Sequence, residues 1–451
     1  MKILSADYVL PISSPPIKSG AVAIDAGKIV VVGAALELAA KYPKAVVENF
    51  AQSAIIPGLV NCHSHLEITS MRGLLDDVEH DFQAWLLKLN AARLELSEGD
   101  IRSAAIAGAI EGVKAGVTCF GEVGRYGVAG LEALKTVGLR GVLFQETEFS
   151  PDNATAADDF EKLKETYFEL WKAATDLVEI GISPHSPYSV SSKLFEWIAK
   201  FAIDNDIKLA IHAAESREEH NLLAKGQGFF TDVYEKFGLT WECPGCSPIE
   251  FLHRTGVLDA KPLLVHCVAV SQSDIDQIAE SGSSIAHCPK SNAKFGHGFA
   301  PFEKFLDAGI PVGLGSDSMA SNNNCDMLEE SRFAALAARN FPGRKRFISA
   351  QEVIETATLG GARALSLDHK IGMLEAGMQA DIAVISLANI AQQPVNDVYA
   401  ALVFASNARD VVMTMVAGEE IYRDGKSSKI DEIELKARIK QIERTLCNKR
   451  A

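Results

Sequence analysis

Ala54-Ile55-Ile56-Pro57-Gly58-Leu59-Val60-Asn61-Cys62-His63-Ser64-His65 joins a short apolar run to two histidines that are two residues apart. The run over 54–60 reads as a strand, because a few consecutive apolar residues bounded by turn signals fit a strand covered on both faces. On a strand, residues i and i+2 face the same side. His63 and His65 at the end of one strand therefore aim the same way and can reach one metal ion. Taken alone, the pair is equally compatible with two unrelated histidines beside a turn. The rest of the chain decides.

Seven further apolar runs follow: Val117-Thr118-Cys119-Phe120, Gly141-Val142-Leu143-Phe144, Glu179-Ile180-Gly181-Ile182, Lys208-Leu209-Ala210-Ile211, Pro262-Leu263-Leu264-Val265, Ser284-Ile285-Ala286 and Pro311-Val312-Gly313-Leu314. Between them lie stretches of helical period, among them 100–115, 192–204, 272–281 and 301–308. Strand and helix alternating eight times predict an α/β fold built on a parallel (β/α)8, TIM-like barrel. The insertions at 66–97 and 226–260 exceed ordinary loops and are expected to form lids or rims of a site. Residues 1–53 have antiparallel β character, with a hairpin around Asp25-Ala26-Gly27-Lys28. After a helical stretch at 350–368, β character returns at 371–385, 399–404 and 410–416. The expected organisation is a small composite β-sandwich domain from 1–55 and 370–425, a catalytic barrel over 56–369 and a C-terminal helix within 426–451.

Bulk properties narrow the function. The chain has 451 residues, 47% hydrophobic and 23% charged, which is ordinary for a globular protein. A net charge of -15 argues against nucleic acid or an anionic membrane as partner. No signal-peptide pattern and no run of about 18 apolar residues is present. Eight cysteines over this length are not a disulfide framework, so a reducing cytoplasm is expected. Cys243-Pro244-Gly245-Cys246 lacks the second ligand pair of a zinc site and the following helix of a redox motif, and reads as a loop with two thiols.

In a (β/α)8 barrel, chemistry sits at the C-terminal strand ends. There the sequence puts His63 and His65 after strand one, His185 after strand four, His212 and Glu215 after strand five, His266 after strand six, His287 after strand seven and Asp317 after strand eight. Any single one of these reads most simply as a hydrogen-bonded structural residue. Their convergence on one rim does not. Imidazoles with one carboxylate suit Zn, Fe or Mn better than Mg or Ca, and leave a position for water. The metal lowers that water's pKa toward neutrality. Glu215, three residues past His212, is placed to take the water proton and deliver it to a leaving group. His266 and Asp317 are placed to hydrogen-bond the hydroxide and aim it.

The stretches 56–65, His212-Ala213-Ala214-Glu215, His266-Cys267, His287-Cys288-Pro289-Lys290-Ser291-Asn292, Gly315-Ser316-Asp317-Ser318, 358–365 and 372–381 together resemble the amidohydrolase superfamily, in its mononuclear branch of deaminases and triazine chlorohydrolases. The resemblance implies one divalent metal, zinc first, with Fe or Mn as alternatives, held by His63, His65, His212 and Asp317. It implies Glu215 as proton shuttle, His266 as the residue orienting hydroxide or polarising substrate, and His185 against the substrate ring. No lysine ends strand four to bridge a second metal. The implied partner is a small molecule, and a homodimer is expected from the family alone.

Leu66-Glu67 after the histidines, the Trp85 region and Ser247-Pro248-Ile249-Glu250-Phe251-Leu252 look like aminodeoxyfutalosine deaminases. The implied reaction is attack of metal-held hydroxide on C6 of an adenine-type ring, with loss of ammonia. Alternatives on the same ligand set are deaminases of methylthioadenosine, S-adenosylhomocysteine, guanine or pterin, a triazine chlorohydrolase and a cyclic amidase. A non-catalytic scaffold would have lost ligands, and none is lost. Methylthioadenosine and S-adenosylhomocysteine deaminases carry an acidic ribose-binding residue in the lid, where this chain aligns Arg93, with Glu95 close by. Trp85 is expected to stack on the purine. Glu67 is expected either to touch substrate or to cap the segment after it. Glu122, Glu146 and Glu148 are left between binding ribose and solvating the rim.

Overall fold

Eight parallel strands form the barrel, seven at the apolar runs after residue 100 and the first displaced to Leu59–Ser64. In the computed structural model, which describes residues 1–239 and 241–448, Leu59–Ser64, Val117–Gly124, Arg140–Glu146 and Val178–Ser183 pair in that order. Ala210–Ala213, Leu263–His266, Ser284–His287 and Val312–Leu314 form the second half. Parallel bridges Ile182–Leu209 and Ser64–Asp317 join the halves and close the barrel. Every residue of the first, second and third strands is buried, because helices cover one face and barrel-filling side chains the other. That double burial is why these strands read as continuous apolar runs. Thr240, inside the 226–260 insertion, and residues 449–451 of the expected C-terminal helix lie outside the described residues.

The opening stretch divides at Gly58. Residues 54–57 belong to a long strand, Val46–Pro57, that pairs with Lys2–Val9 and Ile382–Ser386 outside the barrel. The barrel strand begins only at Leu59. The reason is local. Gly58 donates its N–H to the Asp381 carbonyl at 2.8 Å, and a Cβ at this position would lie 2.0 Å from Thr118 Oγ1. Only glycine lets the backbone cross from one sheet to the other so close to Thr118. Gly58→Ala is therefore expected to destabilise the protein by about 2 kcal/mol or more, the cost of forcing an extra methyl into a packed site. Thermal unfolding against the parent checks this, and an unchanged midpoint would remove the steric account.

The strands outside the barrel make one eight-stranded sheet from both chain ends, in the order Lys426–Ser427, Glu419–Arg423, Val411–Val416, Ile382–Ser386, Val46–Pro57, Lys2–Val9, Ile17–Asp25, Lys28–Ala34. Buried apolar clusters lie on both of its faces, one around Leu4, Val22 and Ile55 and another around Ile3, Ala21 and Leu38. Residues 399–404, expected as β, are helical instead. Val398–Ala400 continues into a π-helical turn, Ala401–Ala405, and the Asp397 side chain caps it by accepting from Ala400 N at 3.1 Å. A short, continuously buried apolar run has no period to tell strand from helix, and the cap decides. Within 371–385 only Ile382–Ser386 is a strand.

The two insertions fold into short elements, of which Phe82–Arg93 and Phe229–Lys236 line a cavity at the strand ends, while Pro248–Arg254 packs beside the helix Gln272–Ser281. The first holds 3-10 turns, Leu66–Met71 and Asp76–Val78, and the helix Phe82–Arg93. The second holds Phe229–Lys236 and Pro248–Arg254. Cys243 and Cys246 are free thiols in the loop between these two helices. Among the described residues no helix is long and apolar enough to cross a membrane.

Candidate active site

At the barrel rim, three imidazoles and a carboxylate meet. His65 Nε2 lies 3.2 Å from His212 Nε2, and Asp317 Oδ1 lies 3.5 Å from His63 Nε2 and 3.7 Å from His65 Nε2. A tetrahedral ion with bonds of about 2.1 Å sets its donor atoms about 3.4 Å apart, so these spacings fit one metal. Donor nitrogens of His63, His65 and His212 all lie within 4.8 Å of one another. Both ring nitrogens of His63 are buried without a hydrogen-bond partner among the described residues, a cost that a metal bond would remove. His65 Nδ1 is 3.0 Å from the Val123 carbonyl and His212 Nδ1 is 3.0 Å from the His185 carbonyl. Each Nδ1–H is thus committed to a backbone oxygen, and each Nε2 lone pair faces the centre.

Electrostatics favour the same assembly. Burial, with neighbouring imidazoles, lowers the His65 pKa to about 4 and pushes that of His212 well below its usual value. Both rings are neutral at neutral pH, the form that binds metal. Burial pushes Asp317 up, but His63, His266 and His65 outweigh it and hold the carboxyl well below its usual range. Asp317 Oδ2 accepts from Ser291 Oγ at 2.6 Å and Ser321 Oγ at 3.0 Å, which fixes the carboxylate's orientation. A second close set, Glu146, His185 and His212, shares His212 with the first. Its Glu146 Oε1 and His185 Nδ1 are already engaged with each other at 2.6 Å.

Glu215 is buried beside this set. Its Oε1 lies 3.6 Å from His266 Nε2. Its backbone is held by Glu219, whose carboxylate accepts from Ala214 N at 3.0 Å and Glu215 N at 2.8 Å. His266 Nδ1 is 2.9 Å from Asn292 Oδ1, leaving Nε2 free to accept. Burial lowers the His266 pKa to about 3 and pushes that of Glu215 well up. Ala214 (φ +51°), His266 (φ +74°) and Asp317 (φ +58°) all have left-handed backbone at their strand ends. Such conformations cost about 1 kcal/mol or more each in L-residues and gather where geometry serves a site.

His65, His212, Glu215, His266 and Asp317 form the floor of a cavity of about 440 Å³, with His63 fully buried beside them. Trp85, Phe149, Tyr188 and Phe230 contribute aromatic walls, and His185, Glu148 and Arg93 also line it. The His185 ring is 4.6 Å from that of His212. Trp85 is packed edge-on against Phe295 at 4.9 Å. Glu67 is not among the cavity-lining residues. It is buried and accepts from Tyr126 N at 3.2 Å with both carboxylate oxygens, capping a loop distant in sequence. Glu122 likewise braces the turn after strand one, accepting from Leu66 N at 2.8 Å and from Ser64 Oγ. His287 packs against Phe302 at 5.2 Å and does not line the cavity. Nothing in the sequence marks Glu219, Ser291, Asn292 and Ser321 individually as site residues. Ser291 and Asn292 lie in the quoted 287–292 stretch, but their roles depend on tertiary contacts.

Residues 54–421 match the amidohydrolase family. The chain belongs to that family. It is 32% identical over 443 residues to a protein of Moorella thermoacetica named 5-methylthioadenosine/S-adenosylhomocysteine deaminase, covering 97% of this chain and 98% of that one. A relative of the same name from Haloarcula marismortui is 33% identical over 380 residues, 84% of this chain and 83% of its own. Among solved amidohydrolase-like structures, a zinc-bound adenosine deaminase from Xanthomonas campestris superposes with TM-score 0.86 at 26% identity, covering 99% of this chain and 98% of its own. A zinc-bound atrazine chlorohydrolase from Arthrobacter aurescens (TM-score 0.83, 23% identity, 98% and 100% covered) shares the fold. Family membership makes the protein a hydrolytic enzyme with a divalent metal, and the relatives it resembles along most of its length are deaminases.

Proposed function

We propose that this protein is a zinc-dependent hydrolytic deaminase of an adenine-type nucleoside bearing a 5′ substituent. The observation that carries the reading is the set His63, His65, His212 and Asp317 beside Glu215, all but the fully buried His63 on the floor of an aromatic-walled cavity. Zinc held there supplies a water acidic enough to ionise near neutral pH. The chain's own groups do the rest. Glu215 accepts the water's proton and passes it to the departing amine, so that ammonia leaves instead of a strongly basic anion. His266, fixed by Asn292, accepts a hydrogen bond at Nε2 and orients the attacking water. His185, held by Glu146, and Trp85 contact the purine ring from the cavity wall.

Adenine is favoured by the names of the relatives and by the adenosine deaminase neighbour. Within that class the relatives favour 5-methylthioadenosine and S-adenosylhomocysteine. Aminodeoxyfutalosine stays as a second reading because of Arg93. This residue, and not Glu95, lines the cavity where the first two substrates call for an acid. The Leu66-Glu67 resemblance adds nothing to that choice, since Glu67 is outside the cavity.

Zinc-loaded protein is expected to release ammonia from 5′-substituted adenine nucleosides with kcat/KM at least about tenfold above that for guanine, pterin, triazine or cyclic amide substrates. A panel of 5-methylthioadenosine, S-adenosylhomocysteine, aminodeoxyfutalosine and these competitors tests it. No ammonia from any adenine nucleoside would end the deaminase reading.

A further inference from the structure

We infer that His297 is a positioning residue for Glu215, coupling its carboxyl to the aromatic helix Phe82–Arg93 at the cavity mouth. The inference rests on the deaminase reading, which gives Glu215 its work. The His297 side chain is 5% exposed, and its Nε2 lies 3.8 Å from Glu215 Oε1. That nitrogen is buried and has no hydrogen-bond partner among the described residues. The large majority of buried side-chain nitrogens have a partner. This one leaves a nitrogen open beside a carboxyl that moves protons.

The surroundings explain how the ring is held. It meets Phe82 edge-on at 4.9 Å and lies 5.2 Å from Phe295. Phe82 and Phe295 both line the cavity, as does Trp85, which packs against the two of them. A ligand pressing on Trp85 and Phe82 therefore presses on the His297 ring. The backbone is anchored from the other side, where His297 N donates to the Asn292 carbonyl at 3.0 Å. Asn292 is also the residue that orients His266. One short turn thus sets both imidazoles that neighbour Glu215. Gly296 (φ +68°) and Gly298 (φ +108°) flank His297, and these left-handed positions let the chain double back and direct the ring inward.

A gap of 3.8 Å is just beyond a hydrogen bond. Catalytic hydrogen bonds are often long before substrate binds and tighten in the complex. Closure of the Phe82–Arg93 helix on a purine by a few tenths of an ångström would bring Nε2 and the carboxyl into bonding distance. The other titratable groups around the pair are His266, Asp317, Glu218 and Glu219. Burial lowers the His297 pKa to about 4, so the ring meets Glu215 as a neutral imidazole.

The test uses zinc-loaded full-length protein labelled with 15N-histidine. Of eleven histidines, the signal missing from His297→Phe or His297→Gln belongs to His297. Glu215→Gln is expected to shift that signal in the absence of any substrate; an unmoved signal overturns the inference whatever the turnover. In kinetics, His297→Phe is expected to lower kcat by about tenfold or more, with KM changed much less and zinc content retained. His297→Gln, which keeps a polar atom near the same place, is expected to recover most of that loss. If Phe and Gln variants lose equally, or lose only in KM, His297 is packing alone. A parent enzyme that turns over no adenine nucleoside would instead sink the deaminase reading, and the NMR result still decides the contact between His297 and Glu215.

Discussion

Glu215→Gln is expected to lower kcat by about 10²–10⁴-fold, or about 3–5 kcal/mol of transition-state stabilisation, with zinc content and folding preserved. The substitution keeps the size and planarity of the side chain and removes only its capacity to take up and release a proton. The fold does not depend on the Glu215 carboxyl. What holds this loop is Glu219, which accepts from the main-chain N–H groups of residues 214 and 215, and those bonds survive the change. The three imidazoles and Asp317 are also untouched. Because a proton transfer is made in the transition state and not in the ground state, the loss falls on kcat while KM changes little. Zinc measured per chain beside steady-state kinetics separates the outcomes. Retained turnover would remove the proton-shuttle role, and lost zinc would mean that Glu215 serves the metal instead.

The barrel was legible because its strands are buried on both faces and so appear as apolar runs at regular intervals. The donor set was legible for a related reason. His63-Ser64-His65 is a local pattern, and the strand-end rule of the barrel says where its distant partners must come from. What escaped was tertiary. Residues 54–57 look like barrel strand, yet the chain changes sheets at Gly58, and only the approach to Thr118 reveals why. Residues 399–404 have strand composition, but the Asp397 cap turns them helical. Glu67 follows the paired histidines closely and invites a substrate role. Its carboxylate is instead occupied by Tyr126 N, nearly sixty residues away. His297 sits in a glycine-flanked loop with no motif, and only the folded chain brings it beside Glu215.

Arg140→Met is expected to destabilise the protein by about 3–5 kcal/mol, the usual cost of leaving one member of a buried ion pair alone. Arg140 opens the third barrel strand, and Asp381 directly precedes the strand Ile382–Ser386 of the outer sheet. Their side chains are 4% and 1% exposed. Arg140 Nε donates to Asp381 Oδ2 at 2.8 Å and Nη2 to Oδ1 at 3.1 Å, a two-pronged bond of the kind that fixes geometry as well as charge. Asp381 also accepts from Ala417 N at 2.7 Å through its side chain and from Gly58 N through its carbonyl. Asp381 therefore ties the barrel and the hairpin at 416–419 together through its carboxylate, and holds the crossing at Gly58 through its carbonyl. Arg140→Met strands that carboxylate in a dry site. Adding Asp381→Asn removes the charge but keeps an acceptor for Ala417, so the double variant is expected to recover part of the loss. Denaturant midpoints of the parent, both single variants and the double variant measure the coupling. The pair lies at the start of strand three, at the end of the barrel opposite the histidines, where residues serve stability more than chemistry. Folded Arg140→Met should accordingly keep near-parental turnover per molecule. Lost turnover in protein that is still folded would mean that the outer sheet also sets the spacing of the metal-binding strand ends, through Gly58 and the strand Leu59–Ser64 that carries His63.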